Sequence, residues 1–268
     1  MHPDLFRITV PEFLRSVFPH YLTIHTYGAC IAIGVYLAIW YTIRQSKKEL
    51  GLNSDPILSL ALIIIISAFI GGKIFYYLEK PSIYLANPEK MLNSMGAGFV
   101  FYGSLLFAIP SVLWYLKKNK ILVWPMLDIM AITICIVHGF GRLGCFFAGC
   151  CHGLPSDAPF AVVFSNPACA ADIKTMPVHP TQLYEVVMIL IIALILQILR
   201  QRKQFNGQIF LVYIMLYGIG RSFIEIFRGD SERGFIIPAV ISYSQLISFL
   251  LIIAAAALYW RLKKSNQS

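Results

Sequence analysis

Apolar residues run through this chain in stretches of about twenty, and polar residues gather in short clusters between them. A bilayer-spanning helix needs roughly 20 mostly apolar residues. Seven runs meet that length, near residues 21–43, 57–78, 98–116, 121–140, 183–199, 209–227 and 238–260. The third and fourth are parted only by the basic KKNK at 117–120, and the sixth carries charges near its end. The pattern predicts an all-α polytopic membrane protein of about seven transmembrane helices. Residues 1–268 read as a single membrane domain without internal repeats or low-complexity tracts.

Composition sharpens this. Hydrophobic residues make up 58% of the chain and charged residues 13%, whereas soluble domains carry about 25% charged residues. Mean hydropathy is +0.70. The first twenty residues, MHPDLFRITVPEFLRSVFPH, lack the apolar core and cleavage site of a signal peptide. Residues 1–20 are therefore expected at the outer face, with 13–21 as a short interfacial segment.

Charge orients the helices, because Lys and Arg accumulate on the cytoplasmic side. Arg44, Lys47 and Lys48 follow the first run, Lys117, Lys118 and Lys120 the third, Arg200, Arg202 and Lys203 the fifth, and Arg261, Lys263 and Lys264 close the chain. Only Glu49 and Asp55 oppose these twelve cations on that side. The formal net charge of +9 is thus nearly all orientation signal, which argues against nucleic acid as a partner. The N-terminus is expected outside and the C-terminus in the cytoplasm. The connection at 141–182 then lies outside.

Four polar stations interrupt the runs toward that outer face: HTYG at 25–28, GAGFVFYG at 96–103, GRLGCFFAGCCHG at 141–153 and YGIGRSFIEIFRGDSERG at 217–234. HPTQLYE, residues 179–185, opens the fifth run. Arg221, Glu225 and Arg228 are spaced by four and seven residues and so share one helix face. Charges in membrane helices are costly and usually face a polar interior. One reading is a structural Arg–Glu pair locking two helices. The other is an anion site, since guanidinium forks grip phosphate oxygens bidentately, and Arg142 adds a further fork. Tyr27, His179, Gln182, Tyr184 and Glu185 supply polar groups at the same level. An outward polar pocket within a bilayer points to an amphiphilic substrate, a phospholipid first.

The six cysteines divide into two kinds. Cys30 and Cys135 sit within apolar runs and read as small packing residues. Cys145, Cys150, Cys151 and Cys169 fall on the outer side, where three readings compete. Metal binding would favour closer C-x-x-C spacing and four convergent ligands. A disulfide suits an oxidising compartment, with Cys169 joined to one cysteine of the run. A reactive thiolate beside Arg142 is the third. The cysteines alone leave these open.

The ordered set HTYG, GGKIFYY, GAGFVFYGSLL, GRLGCFFAGCCHG, HPTQLYE and YGIGRSFIEIFRGD resembles the prolipoprotein diacylglyceryl transferase family over residues 27–245. The resemblance implies an enzyme of the bacterial cytoplasmic membrane that moves the diacylglyceryl group of phosphatidylglycerol onto the lipobox cysteine thiol of a secreted prolipoprotein. Glycerol phosphate is released at the outer leaflet. It implies a phospholipid donor, a prolipoprotein acceptor, no cofactor, no metal and a monomer. Carried across, Tyr27, Arg142, Gly153, His179, Pro180, Gln182, Tyr184, Glu185, Arg221, Glu225 and Arg228 match family positions.

Departures are as telling. The signature reads Gly-Arg-x-Gly-Asn-Phe, then Asn-Gly-Glu and a closing glycine; here Cys145, Ala148 and Cys150 replace the two asparagines and the glutamate. Tyr102 stands where the family has a histidine, and a tyrosine, with a reference pKa of about 10, is a poor base at neutral pH. Arg142, Arg221, Glu225 and Tyr102 are the expected catalytic residues. Tyr27, Arg142, Cys145, Cys150, Gly153, His179, Gln182, Tyr184, Glu185 and Arg228 are expected to bind substrate. Glu225 would orient Arg221 or act as base, with His138, His152 and His179 as other proton acceptors. A two-step route through a pocket cysteine is a further option. Rival readings keep the donor with another acceptor, or place a non-catalytic thiol or metal-binding protein on the same scaffold.

Overall fold

A computed structural model describes residues 3–9, 11, 20–79, 81–87, 89–93, 98–171, 174–229, 235–237 and 241–266. Two short strands, β1 (Asp4–Thr9) and β2 (Tyr21–His25), precede helix α1 (Thr26–Leu50). Then come α2 (Ser54–Leu78), the short α3 (Pro81–Ala86) and α4 (Glu89–Asn93), α5 (Phe101–Lys118), α6 (Val123–Ala148), α7 (Thr181–Arg200) and α8 (Gln208–Glu225). Strands β3 (Phe235–Ile237) and β4 (Ile241–Ser242) lead into α9 (Tyr243–Ser265). In hydrocarbon every backbone group must be paired internally, which is why the apolar runs all become helices and the strands stay outside them.

Six helices, α1, α2, α6, α7, α8 and α9, are long and apolar enough to cross a membrane. The seventh expected run is α5, a helix of 18 residues that holds Pro110 and ends in Lys117 and Lys118, so it is less apolar than its neighbours. Lipid-facing positions are as greasy as the interior: Leu190 and Leu194 on α7 are 62% and 63% exposed.

Three boundaries depart from the sequence expectation. Residues 21–25 are not the start of the first span but β2, which pairs antiparallel with β1. The fourth span does not stop at 140; α6 runs to Ala148, so Arg142 and Cys145 are helical and the connection to α7 begins at Gly149. The last helix starts at Tyr243 rather than at 238, where Ser242 and Gln245 form a capping box. Of the expected interfacial segment at 13–21, residues 13–19 lie outside the described residues.

The chain forms two compact units, Met1–Tyr41 with Leu127–Ser268, and Thr42–Met126. Within the smaller, Lys73 Nζ donates to Gly98 O at 2.9 Å and Tyr115 Oη to Pro56 O at 2.9 Å. The larger is built on α6, α7 and α8, which bury Ala131, Ile132, Cys135, Ile189, Ile192, Leu196, Ile209 and Tyr213 together. A second, small core of Phe164, Cys169, Ala171 and Val178, with Phe146 against it, organises the connection between α6 and α7.

Candidate active site

The ends of α6, α7 and α8 gather charge around one carboxylate. Glu185, in the first turns of α7, is 1% exposed. Arg142 from α6 contacts its Oε2 through Nε. Arg221 from α8 places Nε 3.8 Å from Oε1, and Arg228 places Nη1 3.5 Å from the same oxygen. Arg221 is also paired through Nη1 to Glu225 Oε2 at 2.6 Å, and its Nη2 donates to Ser244 Oγ at 3.5 Å. A lone buried carboxylate or guanidinium would be prohibitively costly here; together they tolerate burial.

Arg228 is not on the helix face expected from its spacing. The helix ends at Glu225, and the next residues turn away because they pair with the connection between α6 and α7: Leu154 N donates to Phe227 O at 2.9 Å, and Arg228 bridges Gly153. The turn still delivers the guanidinium to Glu185. Gly153 explains its own identity: a Cβ there would sit 2.7 Å from His179 Cβ and 2.8 Å from Thr181 Cγ2. Only a glycine lets this strand slide between 179 and 227.

The same connection assembles a thiol cluster. The sulfurs of Cys145, Cys150 and Cys151 all lie within 4.8 Å of one another. Cys150 Sγ donates to Cys145 O at 3.7 Å, Gln182 Nε2 to Cys150 O at 2.7 Å and Thr181 Oγ1 to Cys151 O at 2.9 Å. The Cys151 thiol is held well below the ordinary thiol range, first by the S–H groups of Cys145 and Cys150 and then by the charges of Arg142 and Arg228, against the effect of burial. Cys150 is pushed up, because its proton is held by bonds to Cys145 and Cys151. Of the three readings left open for these cysteines, the disulfide to Cys169 is not formed: all six cysteines are free, and Cys169 is buried in the connection's core.

Other expected residues spread around this centre. Tyr27 packs on α6, since a Cβ on Gly144 would come 2.9 Å from its Cδ2, next to Cys145. Gln182 is 1% exposed, and its Oε1 has no hydrogen-bond partner among the described residues. His179 Nδ1 and Tyr184 Oη are 2.9 Å apart, and Phe160 and Phe227 flank both rings. Tyr102 lies on α5 in the other unit, 51% exposed, with its ring 6.1 Å from that of Phe101.

His138 is the residue that the sequence undervalued. Arg142 Nε donates to its Nε2 at 3.4 Å, the same atom is 3.7 Å from Glu185 Oε2, and the Tyr217 ring lies edge-on at 5.4 Å. The signal was its position four residues before Arg142, one turn along the same face.

Comparison with known proteins shows the family. The family model for prolipoprotein diacylglyceryl transferase matches residues 16–261. This chain belongs to that family. It is 38% identical over 232 residues to the phosphatidylglycerol–prolipoprotein diacylglyceryl transferase of Clostridium tetani, covering 87% of this chain and 90% of the relative. It is 31% identical to the enzyme of that name from Finegoldia magna, and 29% to that name's enzyme 2 from Clostridium perfringens, each over 89% of this chain and 91% of the relative. Cys145 and Cys150, expected from the resemblance to differ from the family signature, are two of the three clustered thiols.

Proposed function

We infer that this chain transfers the diacylglyceryl group of phosphatidylglycerol to the lipobox cysteine of a prolipoprotein, releasing glycerol phosphate. The observation that carries the chemistry is the meeting of Arg142, Arg221 and Arg228 at the single buried carboxylate of Glu185. As the acceptor sulfur bonds to the glyceryl carbon, the carbon–oxygen bond to phosphate breaks. The phosphodiester becomes a monoester and gains negative charge. Fixed guanidiniums in a water-poor site stabilise such growing charge. Arg142 and Arg221 are the catalytic pair, with Arg228 beside them on the phosphate.

Glu225, paired to Arg221 at 2.6 Å, acts by orienting that guanidinium. His138 takes the acceptor's proton, a role supported by its place within the charge cluster. Gln182 Oε1 accepts from a head-group hydroxyl, and Tyr27, Gly153, Cys145 and Cys150 line the donor's path. His179 and Tyr184 shape the wall next to Glu185. Tyr102 enters on the family resemblance alone.

The enzyme works as a monomer in the bacterial cytoplasmic membrane, as one membrane domain, with its site toward the outer leaflet. What supports that orientation is that Arg142, Glu185 and Arg221 sit at the helix ends opposite the basic ends, where Arg200 closes α7 and Lys263 and Lys264 close α9.

The test is purified protein in phosphatidylglycerol vesicles with a lipobox peptide, following glycerol phosphate and peptide mass. A peptide heavier by one diacylglyceryl group, lost in Arg142→Ala, is the expected result. Glycerol phosphate without a modified peptide would overturn the acceptor and keep the donor. Neither product, beside an active family member, would overturn the transferase reading.

A further inference from the structure

The three thiols beside the arginines are built more deliberately than chance neighbours. Cys145 stands on the last turns of α6. Beyond the helix, Gly149 and Cys151 both take the left-handed backbone region, at φ +76° and +61°, which is uncommon and strained for a residue with a side chain. That double turn folds Cys150 and Cys151 back toward Cys145. It is anchored to α7 by the bonds of Gln182 and Thr181 to the carbonyls of Cys150 and Cys151. All three cysteines are half-buried. Among the described residues, only these three side chains form a group of metal-donor spacing.

We propose that Cys145, Cys150 and Cys151 form a three-thiolate site for a soft monovalent cation, Cu(I), set against the arginines that hold phosphate. Thiolates select soft ions such as Cu(I). Among the described residues no histidine nitrogen or carboxylate oxygen joins the three sulfurs at metal-donor spacing, and His152, next to Cys151, places Nδ1 3.0 Å from Gly153 O instead. Three sulfurs suit trigonal coordination, whereas structural zinc takes four ligands in a tetrahedron. A metal–sulfur bond of about 2.3 Å places trigonal sulfurs about 4 Å apart, and the sulfurs already stand within 4.8 Å of one another. On binding, whatever protons the three sulfurs still carry leave to solvent as the sulfur–copper bonds form, with no change in oxidation state. The complex carries two negative charges.

Arg142 lies three residues before Cys145 on one face of α6, and Arg228 bridges Gly153, two residues beyond Cys151. Both guanidiniums therefore face an anion made by the protein itself when the ion is bound, in competition with the lipid phosphate. Occupancy slows transfer; this consequence rests on the transferase reading, while ion binding does not.

The experiment uses the full chain in lipid nanodiscs, reduced and without oxygen, titrated with Cu(I) against the chromogenic chelator bathocuproine disulfonate. One Cu(I) per chain is withheld from the chelator. Cys145→Ser, Cys150→Ser and Cys151→Ser each weaken retention by more than about 100-fold, beyond what loss of an outer-shell partner costs, and Cys30→Ser does not. X-ray absorption at the copper edge of the unaltered protein shows three sulfur neighbours, which keeps the test independent of how the variants fold. No withheld copper, nitrogen or oxygen neighbours, or a preference for Zn(II) over Cu(I) overturns the site. In the vesicle assay, one equivalent of Cu(I) lowers transfer roughly tenfold and the chelator restores it. Bound copper with undiminished transfer overturns the competition. Bound copper in a chain that never transfers, even metal-free, overturns the transferase reading and leaves the site standing.

Discussion

The bundle of α6, α7 and α8 buries a carboxylate at each end, and the two are treated differently. Asp128, in the first turns of α6, is fully buried. Its oxygens accept from Gly207 N at 2.8 Å and Phe210 N at 3.0 Å, at the start of α8, and Lys203 Nζ stands 3.2 Å away. One negative charge meets one ammonium and two directed backbone donors at a helix N-terminus, where the dipole also favours it. About 21 Å along α6, at 1.5 Å per residue, Arg142 meets Glu185. There Glu185 faces three guanidiniums, two of them at 3.5 and 3.8 Å, too long for strong bonds, and one of those two, Arg221, is shared with Glu225. The first end is a closed joint that holds α8 to α6. The second holds its donors together loosely, as a site for an incoming anion requires.

Substitutions at the two ends should therefore part stability from activity. The largest effect belongs to Glu185→Ala, which removes the buried carboxylate shared by Arg142, Arg221 and Arg228 and leaves Arg221 with Glu225. It should lower unfolding free energy by about 3–5 kcal/mol and abolish transfer, read by thermal unfolding in detergent and by the vesicle assay. Next comes Arg221→Lys, which keeps the charge but loses the fork. Transfer should fall by about 10²–10³-fold, or about 2.7–4 kcal/mol of transition-state stabilisation, with the melting midpoint nearly unmoved. A fall in midpoint with the rate intact would make the Glu185 end a joint too. Asp128→Asn should do the opposite. Loss of the charge facing Lys203 should cost about 1–3 kcal/mol of stability, while transfer per folded molecule stays at the original rate.

Much of this was legible in the residues. The apolar runs located the long helices because length and hydrophobicity alone decide what spans a bilayer, and the family motifs picked out Arg142, Glu185, Arg221 and Arg228. Helix ends were harder. Residues 141–148 read as connection because Gly141 and Gly144 interrupt the apolar run, yet they continue α6, and a glycine costs only about 1 kcal/mol in a helix. Arg228 seemed helical by spacing, but its backbone is claimed by Gly153, a pairing between segments 75 residues apart in the chain that no local pattern reports. The thiol cluster was invisible for a related reason. It depends on two left-handed residues and on Gln182 and Thr181 reaching back from α7, so a spacing that looked undiagnostic for metal folds into a trio.

The smallest expected effect tests how the Glu185 end holds its shape. Gly149 takes φ +76°, where an alanine costs about 1–2 kcal/mol. The new Cβ would also lie 2.8 Å from Cys169 Cβ and 3.1 Å from Phe164 Cδ1. Both neighbours belong to the connection's small core, so the core resists and the turn carrying Cys150 and Cys151 yields instead. Gly149→Ala should lower the melting midpoint by a few degrees, at about 2–4 °C per kcal/mol for a chain of this size. It should also speed maleimide labelling of those two thiols. A lower midpoint with unchanged labelling would mean that Gln182 and Thr181 alone fix the turn. In that case Gln182→Ala, which frees the Cys150 carbonyl, should open the thiols to the reagent even though Gly149 is untouched. The asymmetry between the two ends would then rest on α7 reaching across to the connection, rather than on the strained turn itself.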